Sequence, residues 1–257
     1  MHCFAFDIET VPDTELGRRF YDLEGLGDED VATIMVSHRR HKTGHEFLPV
    51  LQQKVVAISI AFRSTSDFKI WSLGNEAAGE AELIRRFFDG LDRHTPDLVS
   101  WNGNGFDLPV LHYRALRHGI VARRYWETGE EDRSFRWNSY LSRFHWRHID
   151  LMDVLSGYQP QNRASLNDVA VLLGLPGKLG VSGEDILGLF RQGDIASIRN
   201  YCETDVLNTY LIYLQFELMR GRLDANEFDQ ECELVRNTLE QAKKAHLDEF
   251  LAAWRGA

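Results

Sequence analysis

The sequence predicts an α/β domain with a mixed sheet and a helical finish. Three observations carry this. Runs rich in β-branched and aromatic residues come early, one strand–helix unit follows near residue 100, and the last third has helical periodicity. Residues 2–8 read as a strand, whose period of two puts Asp7 and Glu9 of "FDIET" on one face. Residues 13–54 are mixed and charged and predict two or three short helices over the surface. "VVAISIAF" (55–62) and "FKIWSL" (68–73), separated by a polar turn, predict a hairpin. Leu83, Ile84, Phe87, Phe88 and Leu91 recur at helical spacing within 80–91. "DLVSW" (97–101) predicts a short buried strand, "NGNG" a glycine-rich turn, and 107–118 a helix.

Further on, "RHIDLMDVL" predicts a strand entering a helix. "SLNDVAVLLG" predicts a helix capped by Ser165, boxed by Asp168 and closed by Gly174. Residues 195–218 predict a long helix with a buried stripe at Leu207, Tyr210, Leu211, Leu214 and Leu218. Residues 226–254 predict one last amphipathic helix, with Phe228, Cys232, Val235, Leu239 and Ala242 on one side. The expected organisation is a domain over 1–220 with 221–257 packed on it.

Composition bounds the class. A hydrophobic fraction of 44% and a charged fraction of 26% suit a soluble globular chain. No apolar run approaches the ~20 residues that cross a membrane, and the first residues lack the basic-then-apolar pattern of a secretory signal. Cys3, Cys202 and Cys232 are odd in number and far apart, which fits neither a disulfide framework nor a zinc pattern. The expectation is a reduced, cytoplasmic protein without a membrane partner. The net charge of −10 argues mildly against nucleic acid. The charge is uneven, however: residues 112–148 hold eight arginines and four acids, interleaved with aromatics. That mixture suits a phosphate backbone and stacked bases, and equally a solvated loop with buried anchors.

Carboxylates carry the chemistry. Of four D-x-E triplets (at Asp7, Asp13, Asp22 and Asp229), only Asp7/Glu9 ends a buried-looking strand. Asp107 follows a strand and a glycine turn, where ligands bind in open α/β sheets, although it could simply start a helix. Tyr201 and Asp205 of "YCETDV" lie at i and i+4 on one helix face, an arrangement common to plain surface pairs. Clustered acids without cations raise each other's pKa and destabilise the fold. Hard divalent ions such as Mg²⁺ or Mn²⁺ remove that cost. Two of them about 3.5–4 Å apart can activate water and stabilise a leaving oxygen at phosphorus.

In this order, the elements resemble the exonuclease domain of family B DNA polymerases and its stand-alone relatives among the DEDDy 3′–5′ exonucleases. "FDIET" resembles the first motif, N-x-x-x-F-D (Asn102, Phe106, Asp107) the second and Y-x-x-x-D (Tyr201, Asp205) the third. Asn200 stands where the histidine subclass would carry His. The resemblance runs from residue 2 to about 217. It implies a ribonuclease H-like fold with a central mixed five-stranded sheet flanked by helices, and two Mg²⁺ or Mn²⁺ ions. It further implies that Asp7, Glu9 and Asp205 hold one ion, that Asp7 bridges to the second, and that Asp107 acts mainly through water. Tyr201 would orient the attacking water; an ordinary phenol pKa near 10 makes positioning a better role than general base.

The expected reaction is 3′–5′ hydrolysis of single-stranded nucleic acid, DNA favoured over RNA, releasing nucleoside 5′-monophosphates. Thr10, Asn102 and Phe106 are candidate contacts to the terminal nucleotide, and Arg123 and Arg124 candidates for guiding the strand. The 52 residues after Asp205 are too few for a polymerase, so a separate replication or repair partner is expected if one is used. Residues 13–54 and 119–147 look like insertions.

Other readings fare worse. "GNGFDL" lacks the last glycine of a dinucleotide fingerprint, and "GLPGKLG" has Leu179 where a P-loop needs Ser or Thr. His38, His41 and His45 lie in polar surroundings without a nearby cysteine. A non-catalytic binding module on the same fold would be expected to lose site residues, and all five positions are filled.

Overall fold

The computed structural model describes residues 1–180, 182–183 and 185–255. Among these, five strands form one sheet: β1 (Cys3–Pro12), β2 (Gln53–Arg63), β3 (Phe68–Ser72), β4 (Asp97–Ser100) and β5 (His148–Asp150), in the order β3-β2-β1-β4-β5. β1, β2 and β3 pair antiparallel, as expected of the hairpin, while β4 and β5 run parallel to β1. This is the mixed five-stranded sheet of a ribonuclease H-like fold.

Ten helices among the described residues surround it: α1 (Thr14–Tyr21), α2 (Asp28–Thr43), α3 (Glu80–His94), α4 (Asp107–His118), α5 (Leu151–Leu155), α6 (Leu166–Leu172), α7 (Ile186–Gln192), α8 (Ile195–Met219), α9 (Ala225–Ala242) and α10 (Ala245–Arg255). Alternation along β1 divides the core. Phe4, Phe6 and Ile8 pack with α3 and α4, and Cys3 and Ala5 pack with α8, α9 and α10. Asp7 and Glu9 therefore belong to the side on which α8 lies. Among the described residues, no helix is long and apolar enough to cross a membrane.

Three expectations change. α8 is buried all round between Tyr201 and Leu214 rather than along one stripe, because the sheet covers one side of it and the C-terminal helices another. The single final helix is two, broken at Lys243, whose φ of 51° is left-handed. The sequence pattern did not reveal α7, which packs Ile186 against Val11 of β1. Segment 119–147 proves to be anchored from within. Tyr125, Phe135 and Tyr140 are buried, Tyr125 stacks on Tyr140 at 5.8 Å, and Arg147 lies 4.0 Å over the Phe135 ring.

Glu203 ties α8 to β3 and α10. Its carboxylate accepts from the Ser72 N–H at 2.9 Å, from Lys244 Nζ at 3.0 Å and from His246 Nε2 at 2.8 Å. Burial alone would raise its pKa, but the hydrogen bonds from His246 and Lys244 outweigh it and hold the carboxyl down at about 2. A depressed carboxyl stabilises the fold above its unfolded pKa and loses that contribution as pH falls. Glu203→Ala is expected to cost about 3–5 kcal/mol at pH 7, the scale for stripping one partner from a buried ion pair. Urea unfolding should show this difference, and should show it shrinking as pH drops from about 4 toward 2.

Candidate active site

β1 pairs with β4 only along Cys3–Ala5, so its C-terminal half runs on past the end of β4. The cleft this leaves is a switch point at strand ends, where α/β sheets bind ligands. Asp7 and Glu9 face it from β1. On the far side, the chain leaves β4 through "WNGNGF" and enters α4 at Asp107. That turn is tightly held. Asn102 adopts a φ of 64°, and the N–H groups of Asn102 and Asn104 donate to the Asp150 carboxylate at 2.9 and 2.8 Å. Gly103 is required, because a Cβ there would overlap the Ser100 side chain. Asp107 thus sits in the first turn of α4, where the helix dipole favours negative charge.

α8 closes the cleft from the other face of the sheet. Tyr201 and Asp205, one turn apart, line the same cavity of about 740 Å³ as Asp7, Glu9 and Asp107. Asn102, Phe106 and Phe47 line it too. Cys202 lies behind: its thiol donates to the Asp7 carbonyl at 3.4 Å and to Asp7 Oδ2 at 3.7 Å, and the ligand atoms of Asp7, Glu9 and Cys202 lie within 4.8 Å of one another.

The electrostatics are those of trapped like charges. Burial first, then the charges of Asp107, Glu9 and Asp205, push the Asp7 carboxyl well above the ordinary range; its partial exposure to the cavity lets water relieve some of this. Burial, then Asp205 and Asp107, do the same to Glu9, against a pull from Lys178. Burial lifts Asp107 to about 7 and Asp205 to about 6. Burial and the adjacent Asp205 drive the Tyr201 phenol far up, so it stays protonated.

Other buried acids in this chain are compensated in place. Asp13 and Glu80 meet Arg114, Asp153 meets Arg163, and the partly buried Glu231 meets Arg63. Asp150 and Glu127 instead each accept from several backbone N–H groups of the turns they hold. Among the described residues, Asp7, Glu9, Asp107 and Asp205 form no ion pair. A cavity of similar size near Arg114, about 850 Å³, is lined by acids that already meet arginines and leaves no comparable demand for a cation.

Of the candidate substrate contacts, Asn102 and Phe106 line the carboxylate cavity. Thr10 lines an adjoining one of about 840 Å³, where its hydroxyl donates to Gln53 Oε1 at 3.0 Å. Arg123 and Arg124 line neither. They follow α4 in the segment that turns back along it, where the next residues, Tyr125 and Trp126, meet His112 of that helix at 4.8 and 4.9 Å. Arg124 is engaged with Asp132 at 3.2 Å.

A family model described as "Predicted 3'-5' exonuclease related to the exonuclease domain of PolB" matches residues 45–254. The chain belongs to this exonuclease family. The match contains Asp107, Tyr201 and Asp205; Asp7 and Glu9 precede it and join the others only through the fold of β1. Among similar proteins, a DNA polymerase epsilon catalytic subunit of Arabidopsis thaliana is 27% identical over 82% of this chain. A DNA polymerase of Archaeoglobus fulgidus is 26% identical over 62% of it. The chain spans only 9% and 20% of the length of these two relatives.

Sequence reasoning missed three residues at this exonuclease-family site. Lys178 brings a positive charge that favours ionised Glu9 and Asp205; its loop is pinned to α8 by Asn208, which bonds Gly177 on both sides. Nothing in its spacing ties it to the acids. Cys202 and Phe47 were missed as well. Cys202 was legible in principle, because it adjoins Tyr201 on a helix whose next turn carries Asp205.

Proposed function

We propose that this chain is a divalent-metal-dependent 3′–5′ exonuclease that removes nucleotides from single-stranded 3′ ends, DNA favoured. The observation that carries this reading is a set of four carboxylates that converge on one cavity without forming an ion pair. An all-oxygen donor set of this charge fits Mg²⁺ or Mn²⁺; Asp7, Glu9 and Asp205 would hold one ion, and Asp7 and Asp107 a second. When bound, such ions lower the pKa of water and stabilise charge at the phosphorus.

The chain's own groups supply the rest. The four carboxylates would hold the cations, and the cavity they line with Asn102 and Phe106 would receive the scissile phosphate. The protonated Tyr201 hydroxyl positions the attacking water by hydrogen bonding. The water oxygen bonds to phosphorus as the bond to the 3′ oxygen of the preceding nucleotide breaks. The phosphate leaves on the terminal nucleoside as a 5′-monophosphate, and the shortened strand regains a 3′ hydroxyl. Lys178 faces the same space and offsets the charge of the phosphodiester. The two relatives named above are polymerases, which supports a separate replication or repair protein as the partner.

Tyr201→Phe keeps the ring and removes the oxygen. It is expected to lower kcat about 10- to 100-fold, the usual cost of losing an orienting hydrogen bond, with KM nearly unchanged. Steady-state degradation of a labelled oligonucleotide checks this. The function as a whole is tested with matched DNA and RNA oligonucleotides, each blocked at one end, with and without Mg²⁺ or Mn²⁺. Metal-dependent shortening from free 3′ ends, faster on DNA, is expected. Faster loss of RNA would reassign the substrate, and no shortening of either would remove the proposal.

A further inference from the structure

We propose that Phe47 is a stacking platform for the base of the 3′-terminal nucleotide, and that residues 13–54 serve to present it. This rests on the exonuclease reading above. Phe47 is 60% exposed, so most of its ring is available for a ligand to cover. It is not a loose side chain. Its carbonyl accepts a hydrogen bond from Arg39 Nε of α2 at 3.0 Å. The next residue, Leu48, is buried in a small core with Val31 and Met35, and its carbonyl accepts from Gln53 Nε2 at 3.1 Å. The backbone is clamped on both sides while the ring is held out.

The ring is held at the site. Phe47 lines the carboxylate cavity and also the adjoining cavity that holds Thr10 and Gln53, so it stands on the ridge between them. Phe106 lines both as well, and the two rings meet at 5.2 Å with an interplanar angle of 57°. The pair is tilted rather than stacked, and with Phe47 mostly exposed, area of its ring is left open to a third ring. A nucleotide whose phosphate lies at Asp7 and Glu9 has its base within reach of this corner. Every base has a π face, so stacking holds the end of the strand without reading its sequence. The family match begins at residue 45, so α1 and α2 lie outside it and Phe47 just inside.

The test compares an oligonucleotide with an ordinary 3′ nucleotide against one whose last sugar carries no base. Wild type should prefer the ordinary end by about 5- to 150-fold in kcat/KM, the range a stacked base contributes. Phe47→Ala should lose most of that preference through a higher KM, and Phe47→Trp should keep it. An unchanged thermal melt shows that the exposed ring was not needed for folding. A second readout needs no turnover: a 3′-terminal 2-aminopurine should be quenched on binding to Asp7→Asn, and less so when Phe47→Ala is added. Equal use of both ends by wild type, or a preference untouched by Phe47→Ala, overturns the platform while leaving the exonuclease standing. Failure of wild type to shorten any oligonucleotide takes both down.

Discussion

Asp7→Asn abolishes hydrolysis while leaving a folded, more stable protein. Asp7 faces the other three carboxylates, whose charges and burial together hold its pKa high. Asparagine keeps the shape and removes the charge. Repulsion on Glu9, Asp107 and Asp205 falls, so the metal-free variant should melt at a higher temperature than wild type at pH 8. Cation binding loses its bridging ligand, and the rate should drop by at least about 10²–10³-fold, the cost of removing one preorganised electrostatic group. Degradation assays and thermal melts on one preparation check both halves. A variant that cuts normally would place the chemistry elsewhere. A variant that melts lower would mean that the Asp7 carboxylate is needed for the fold.

Removing divalent ions from wild type is the second large effect, and its size depends on pH. Asp107 and Asp205 have folded pKa values raised to about 7 and about 6, and Asp7 and Glu9 are raised as well. A raised carboxyl stabilises the fold below its unfolded pKa near 4 and loses that contribution as pH rises through the folded value. Metal-free protein should therefore lose stability between about pH 4 and pH 8. Mn²⁺ or Mg²⁺ binds the ionised cluster, so its thermal shift should be small at pH 5 and large at pH 8. At 100 times Kd the gain is about 2.7 kcal/mol. Chelation at pH 8 should both stop hydrolysis and lower the melting temperature. A shift independent of pH would argue that the ion binds elsewhere.

Much of this was legible in the sequence, for definable reasons. Strong period-two and helical patterns made the strands and α3, α4 and α8 readable. The positions of Asp7, Glu9, Asp107, Tyr201 and Asp205 relative to those elements were readable too, and the fold brings all five into one cavity. The rest depends on tertiary neighbours. The burial of α8 on all sides follows from α9 and α10, which its own pattern does not encode. Lys178 and Phe47 reach the cavity from loops whose sequence shows no tie to the acids. Composition alone does not place the arginines of 112–148: charge content does not say which cavity a residue lines, and Arg123 and Arg124 line neither of the two at the carboxylates.

The most direct test of the converging carboxylates is anomalous scattering from crystals soaked in Mn²⁺. Two peaks are expected, both within ligand distance of side chains from Asp7, Glu9, Asp107 and Asp205. A well-ordered crystal with no peak among these residues would contradict the account.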